Sequence, residues 1–206
     1  NSFQFQGEVE RVNLGGTERI GRICAASGCK MIFLSTTSVY GVQDGEVDED
    51  CAIDQLKPQS PYADSKLKAE FLLKDLGEKI GLEFVICRFG TIFGVSPGMR
   101  FHTAVNKFCW QAVTGQPITV WNTAMDQKRP YLALGDAVDA LTFIIQQGLF
   151  DRSVYNVVSA NATVRNIVEA ITEQVPDVAV KYVDSEIMNQ LSYTVSSRRF
   201  SQLGFT

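Results

Sequence analysis

The chain has 206 residues, of which 45% are hydrophobic and 20% charged, which is typical of a globular protein with one domain or slightly more. Its net charge of −4 and its scattered lysines and arginines argue against a nucleic-acid partner, which requires a basic surface. No apolar run approaches the roughly 18 residues of a membrane span, and the first residues carry no signal-peptide core, so we expect no membrane partner.

The cysteine and histidine content narrows the chemistry further. Five cysteines without any CxxC spacing predict free thiols in a reducing compartment, and therefore a cytoplasmic protein. The single histidine, His102, argues against a zinc site built on several histidines and against a Ser-His-Asp triad. We therefore expect no metal site.

The first elements alternate between helix and strand. Apolar residues at helical spacing predict a helix within residues 8–27, loosened by Gly15 and Gly16. The continuous apolar run CKMIFLST, residues 29–36, predicts a strand buried on both faces. A polar, acid-rich loop follows over about residues 41–60.

The next helix and strand complete the pattern of a parallel sheet. Ser60 and Pro61 give a strong start signal for a helix that we expect to end near Gly81. The segment LEFVICRFG, residues 82–90, predicts a second buried strand. Helices that alternate with apolar strands indicate a parallel sheet with crossover connections.

The pattern of predicted elements changes in the second half of the chain, and no linker rich in proline and glycine precedes it. The predicted elements are, in order, a helix over about 101–114, a strand in 115–121, a strand and a helix within 129–148 with Asp136 as N-cap, a strand in 153–159, a helix in 163–175, a strand in 178–184 and a shorter helix near the end.

Two features suggest catalysis at the edge of the sheet. Tyr62 and Lys66 are four residues apart and so share one helix face. A nearby ammonium lowers the pKa of a tyrosine, which would make the pair a general base for a hydroxyl proton; the alternative is an ordinary helix surface. The run Ser35–Ser38 ends the first strand, where hydroxyls either bind a ligand or cap the turn.

The combined motifs STTSVYG, SPYADSK and RFGTIFG resemble the extended short-chain dehydrogenase/reductase superfamily. Within it the chain is similar to the NAD-dependent nucleotide-sugar epimerase/dehydratase group, such as UDP-glucose 4-epimerases. The resemblance implies an α/β fold: a partial Rossmann-like, doubly wound parallel sheet with a smaller α/β C-terminal substrate domain. Residues 1–98 would form the C-terminal part of the NAD-binding domain. Residues 99–206 would mainly form the substrate domain, with one or more segments returning to the sheet.

The resemblance also assigns roles to individual residues. It implies Thr36, Tyr62 and Lys66 as the catalytic residues, with Lys66 lowering the pKa of Tyr62 and holding the nicotinamide ribose. The implied contacts to the cofactor NAD are Asn13, Ser35, Tyr62, Lys66 and Phe89. The implied contacts to a nucleotide-sugar substrate are Thr91, Arg100, Asn106 and Arg129, where the guanidinium of Arg129 suits a diphosphate.

The chain departs from the family pattern at three places. Dehydratases of the group place acidic residues directly after the catalytic threonine, whereas Thr37 and Ser38 stand here and disfavour dehydration. Thr91 replaces an asparagine that contacts substrate in many relatives. No GxxGxxG segment is present, so we expect that roughly 60 to 90 residues of a βαβαβ unit precede Asn1 in the parent protein.

The implied reaction is epimerisation of a nucleotide-diphosphate sugar by hydride abstraction and return through a keto intermediate. Two alternatives stay open: an NAD(P)-dependent sugar dehydrogenase or reductase, and a truncated, non-catalytic fragment that binds only a ligand or a partner. Relatives usually dimerise, and here the helices that contain Asn13 and Tyr62 would form the homodimer contact.

Overall fold

The structure is a computed structural model that describes residues 3–184 and 192–205. The strands in these ranges are β1 Met31–Thr36, β2 Glu46–Val47, β3 Phe84–Phe89, β4 Thr91–Phe93, β5 Ile118–Trp121, β6 Lys128–Ala133, β7 Val154–Val157, β8 Ala160–Thr163, β9 Val180–Val183 and β10 Thr194–Val195. The α-helices in the same ranges are α1 Gln6–Glu10, α2 Gly16–Ser27, α3 Pro61–Ile80, α4 Ala104–Val113, α5 Leu134–Gln147, α6 Val164–Gln174 and α7 Arg198–Ser201.

The central sheet is parallel, in the order β1-β3-β7, so the predicted α/β class is confirmed. Helix α3 packs on one face through a cluster that contains Leu73 and Ile86, and α5 packs on the other through Cys87 and Ile144. Every residue of β3 is buried, as predicted. The same prediction is wrong for β1, where Leu34 is 42% exposed because β1 lies at the edge of the described sheet.

The predicted first helix runs without a break from Gln6 to Ser27, but its hydrogen-bonding pattern changes along the way. Between α1 and α2, residues Arg11–Gly15 form a wider π turn, and this turn carries Asn13. The π turn ends at Gly15, the first of the two glycines that the sequence marked as a weak point, and such turns are frequent at functional sites. Helix α2 ends at Gly28 in the left-handed conformation.

Helix α3 begins and ends as predicted. The Ser60 hydroxyl accepts a hydrogen bond of 3.2 Å from the Ala63 N–H, and Pro61 occupies the first helical position. Gly81, with φ of 74°, closes the helix. These signals fix where the helix starts, and hence which residues of its first turns face β1.

The second half forms small sheets around a separate core. Strands β4, β6 and β8 pair in that order, and β5 pairs with β9. The prediction that Asp136 is the N-cap of α5 is wrong: the helix already begins at Leu134, after an extended Ala133. Asp136 lies in the first turn and accepts a hydrogen bond from the hydroxyl of Ser159, which takes the side chain away from the helix N–H groups.

Segments of the second half return to the first. Strand β7 completes the central sheet, and β10 pairs with β2 inside the acid-rich loop. The predicted short helix near the end is α7, whose Phe200 packs into the core beneath α5. The two halves therefore share one framework, and the site lies at the edge where they meet.

Candidate active site

A cavity of about 540 Å³ opens at the carboxyl ends of β1 and β3. Its lining includes Thr36, Tyr62 and Lys66, which the sequence placed together as a catalytic group. Among the described residues that line it, Lys66 and Arg100 carry positive charge and none is an aspartate or a glutamate. A cavity of this size and sign suits an anionic ligand such as a phosphate ester.

Tyr62 lies at the mouth of this cavity in the first turn of α3. Partial burial raises the pKa of its hydroxyl, although 42% of the residue is exposed, while Arg100 and a hydrogen bond with Thr36 lower it. Lys66, which the sequence predicted as the group that lowers this pKa, donates instead to the carbonyl of Leu34 at 2.8 Å. The net effect is a raised pKa of Tyr62, which Arg100 and Thr36 offset in part.

The ammonium of Lys66 is held by two contacts and lies in the field of a nearby carboxylate. Besides its bond to Leu34, it lies 4.7 Å from the centroid of the Phe33 ring. Partial burial lowers the pKa of the ammonium, and the carboxylate of Glu70 raises it. An ammonium fixed in this way keeps its remaining donors available to a ligand in the cavity.

The other predicted cofactor residues divide into two groups. Ser35 and Phe89 are buried in the cavity wall. Asn13 lies outside that wall, where its Nδ2 donates to the Ser65 hydroxyl at 2.9 Å, and Ser65 in turn donates to the Tyr62 carbonyl. Asn13 thus contacts α3 through Ser65 and not through the cavity.

The predicted substrate residues extend into a second cavity of about 280 Å³. Thr91 and His102 line both cavities, which therefore meet, while Arg129 and Trp121 line only the second. The side chain of Asn106 is committed to the backbone: its oxygen accepts from Gly94 N–H and its nitrogen donates to the Arg100 carbonyl, both at 3.1 Å. It shapes the loop that forms one wall.

The sequence interpretation missed Glu70 and Arg88, which form a buried ion pair between α3 and β3. It also left His102 without a role, although this residue lies where the two cavities join. One signal for Glu70 was available: it follows Lys66 by four residues and therefore lies on the same face of α3.

Two further findings limit what the site can be. Within residues 3–184 and 192–205, no cluster of histidine, cysteine, aspartate and glutamate is arranged to hold a metal ion. None of the helices in the described ranges combines the length and the apolar character that a bilayer span requires.

Known proteins with related sequences and folds share this architecture. The trifunctional UDP-glucose 4,6-dehydratase/UDP-4-keto-6-deoxy-D-glucose 3,5-epimerase/UDP-4-keto-L-rhamnose-reductase of Arabidopsis thaliana is 27% identical over 216 residues, which cover 100% of this chain and 31% of that protein. A UDP-glucose 4-epimerase of Azospirillum brasilense is 30% identical over 175 residues, covering 74% of this chain and 49% of that enzyme. The chain therefore spans only a third to a half of these relatives.

A solved structure matches the whole chain. MoeE5 in complex with UDP-glucose and NAD superposes with a TM-score of 0.84 and 28% identity, covering 100% of this chain and 69% of that one. The profile of the family described as "NAD dependent epimerase/dehydratase family" matches residues 1–157, which include the first cavity and both strands that end at it. The chain belongs to the NAD-dependent epimerase/dehydratase family.

Proposed function

We propose that this chain is the catalytic and substrate-binding part of an NAD-dependent nucleotide-sugar epimerase. The observation that carries the proposal is the first cavity, in which Thr36, Tyr62 and Lys66 converge beside Arg100 and no described carboxylate lines the wall. The relatives support the substrate class, since their names state UDP-glucose or its derivatives, and MoeE5 was solved with UDP-glucose and NAD.

The two joined cavities fit the two ends of a nucleotide sugar. In this proposal the sugar lies in the first cavity next to Tyr62. The diphosphate passes Thr91 and reaches Arg129, and the base lies against Trp121 in the second cavity. Guanidinium groups bind phosphate oxygens in pairs, and an exposed indole offers a flat face to a base.

Lys66 and Tyr62 would also hold NAD, which supplies the hydride acceptor and donor when it is bound. The fit rests on the charge of the cavity, because two cations without a lining carboxylate favour a phosphate-bearing cofactor. Asn13 would act from behind α3 through Ser65, and Ser35 and Phe89 would form the floor.

Tyr62 would act as the general base for the sugar hydroxyl, with Thr36 hydrogen-bonded to the same oxygen. Since burial raises the pKa of Tyr62, the basic form depends on nearby positive charge and on the Thr36 hydrogen bond. Arg100 supplies part of that charge here, and Lys66 lines the same cavity.

A nucleotide-sugar 4,6-dehydratase is the second candidate, because the Arabidopsis relative carries that activity in its name. Elimination of water needs a group that protonates the departing hydroxyl. Carboxylic acids supply such protons readily, yet no described carboxylate lines the cavity, and the Thr37 hydroxyl is turned to the Phe89 carbonyl at 3.3 Å. This arrangement favours epimerisation.

The test is turnover of UDP-glucose and dTDP-glucose by the full-length protein with NAD. An epimerase gives a product of unchanged mass, a dehydratase gives a product lighter by one water, and a dehydrogenase accumulates NADH. We expect the Tyr62→Phe variant to lose about 10²–10⁴-fold in turnover, because it lacks the proton acceptor. The matched control is Tyr182→Phe on β9, a tyrosine that is 52% exposed and lines neither cavity.

A Tyr62→Phe variant with wild-type turnover would overturn the catalytic assignment. A wild-type protein that binds UDP-glucose without turning it over would support the binding-only alternative. Net production of NADH would support the dehydrogenase alternative.

We also propose the assembly and the location that the sequence suggested. Residues 1–98 would belong to the NAD-binding domain and residues 99–206 mainly to the substrate domain, with β7 returned to the first. A homodimer through α1, α2 and α3 is supported by the exposed apolar side chains on these helices, which include Ile20, Ile23 and Phe71. The free cysteines support a cytoplasmic location. Sedimentation of the full-length protein tests it.

A further inference from the structure

The end of β1 contacts α3 through three residue pairs. Three consecutive strand residues each meet a different side chain of the helix, in the pairs Leu34 with Lys66, Ser35 with Glu70, and Thr36 with Tyr62. The helix residues are spaced by four, so they form one continuous face of α3. Two of the three pairs contain the proposed catalytic residues, and the third contains Glu70.

Glu70 is the most buried member of this set. Its side chain is 1% exposed, and it receives a hydrogen bond from the Ser35 hydroxyl. Arg88 on β3 donates its Nη2 to the other carboxylate oxygen at 2.7 Å and its Nε at 3.2 Å. Because Ser35 and Arg88 face each other in the register of β1 and β3, one carboxylate joins the helix to both strands.

Stability alone gives a weak reason for this ion pair. Buried pairs of opposite charge lose much of their attraction to desolvation, and well-packed apolar residues often serve as well or better. The surrounding cluster of Leu73, Phe84 and Ile86 would accept such residues. Apolar side chains would not fix the orientation of the helix relative to the strand. Hydrogen bonds do, because they set the angle as well as the distance between the two elements.

We infer that the Glu70–Arg88 pair is a positioning device for the active site, holding the end of β1 against α3 so that Thr36, Tyr62 and Lys66 keep their mutual geometry. This inference rests on the proposed function for its catalytic consequence. Glu70 itself does not line the cavity, and its effect on the reaction passes through Ser35 and Lys66.

The carboxylate has a second effect on the site through its charge. It opposes the loss of the proton from Lys66, which burial favours. The ionisable groups around Lys66 are Tyr62 and Glu70 on its own helix, Arg88 on β3, and Arg100 and His102 across the cavity. Glu70 is the acid in this set and the charged group that shifts the pKa of Lys66, so loss of the Glu70–Arg88 pair removes that support and weakens the hold of Lys66 on its proton.

The test uses the double variant Glu70→Met/Arg88→Met, which removes both charges so that neither is left buried without its partner. In the full-length protein, the rate at which acetic anhydride labels Lys66 below its pKa, read by mass spectrometry, should rise about three- to tenfold. With a nucleotide sugar, kcat should fall about 10- to 100-fold with KM nearly unchanged, because the misplacement affects the reacting groups rather than the substrate contacts. The alkaline limb of the kcat profile should move to lower pH.

Two controls separate positioning from simple damage to the fold. Tyr155→Phe removes a buried 2.6 Å hydrogen bond to Asp151 in the same sheet, so it should lower the melting temperature without changing Lys66 labelling or the alkaline limb. Ser35→Ala removes only the strand contact, so it should lower kcat while the charge effect on Lys66 stays.

The inference is overturned if the folded double variant labels at the wild-type rate, whatever its turnover. Loss of turnover with unchanged labelling, as in a destabilised protein, therefore counts against it. If the wild-type protein turns over no nucleotide sugar, the proposed function fails, and the labelling of Lys66 still decides the role of Glu70.

Discussion

Two glycines with nearly the same backbone conformation should respond very differently to alanine. Gly41, at the start of the acid-rich loop, has φ of 68°, and Gly28, at the end of α2, has φ of 67°. A Cβ built on Gly41 would lie 2.1 Å from the carbonyl oxygen of Lys57, whereas a Cβ on Gly28 would meet nothing within 4 Å. Comparing Gly28→Ala with Gly41→Ala therefore separates the free-energy cost of the left-handed conformation from the cost of the steric clash with Lys57.

The expected costs follow from these distances. The left-handed region costs an alanine about 1–2 kcal/mol, and a stiffer unfolded chain returns about 0.4–1 kcal/mol, so Gly28→Ala should lose about 1 kcal/mol. Gly41→Ala carries the same cost, and its backbone must also shift away from Lys57, which adds about 1–3 kcal/mol by analogy with overpacked cores. We expect a total near 3 kcal/mol.

Thermal and urea unfolding of the two variants would measure the difference. One kcal/mol corresponds to a melting shift of about 2–4 °C for a chain of this size, so the expected drops are about 3 °C for Gly28→Ala and about 9 °C for Gly41→Ala. The reasoning is refuted if the two drops agree within error, because the contact with Lys57 would then cost nothing.

Two further predictions concern buried polar groups near the sheet. Tyr40→Phe should destabilise the protein by about 1–3 kcal/mol in urea, because the Asn156 oxygen loses the 2.9 Å hydrogen bond that it accepts from the buried hydroxyl; an unchanged midpoint would contradict this. Burial raises the pKa of Glu49 above 4.5, although the Asn156 N–H and Arg199 lower it. The stabilisation linked to protonated Glu49 is therefore complete below pH 4.5, and it is lost as the pH rises through the pKa of Glu49 in the folded protein. Glu49→Gln should gain in unfolding free energy relative to wild type from pH 4.5 toward neutrality, and a constant difference would show that Glu49 is not the group responsible.

Local signals made helix α3 predictable from the sequence. Ser60, Pro61 and Gly81 act within a few residues of themselves, through a side-chain cap, a fixed φ and a left-handed closing residue. Because those signals set the helix register, they also placed Tyr62 and Lys66 on one face. Strands β1 and β3 were predictable for the same reason, because each is marked by a continuous run of apolar residues within its own segment.

Interactions between distant segments were not predictable in this way. The spacing of Glu70 from Lys66 indicates which face of α3 it occupies but not what it binds, because its partner Arg88 lies on the next strand. Asp136 looked like a cap by position, but Ser159, 23 residues later, takes its carboxylate. Asn106 lines the first cavity as a predicted ligand contact would, and nothing in the sequence indicated that its amide also binds the backbone at Gly94 and Arg100.

The pairing of β2 with β10 has a consequence for how the protein acquires its structure. It closes a very long loop: Arg199 binds Asp50, 149 residues away in sequence, and Ser196 N–H donates to the Val47 carbonyl at 2.8 Å. Contacts of such high sequence separation form slowly, because the chain must lose much entropy before they are made. We expect the acid-rich loop to order last, so that pulse-labelling hydrogen exchange protects Ser196 later than Ile86 in β3. The C-terminal segment would then pair with that loop only after the central sheet has formed.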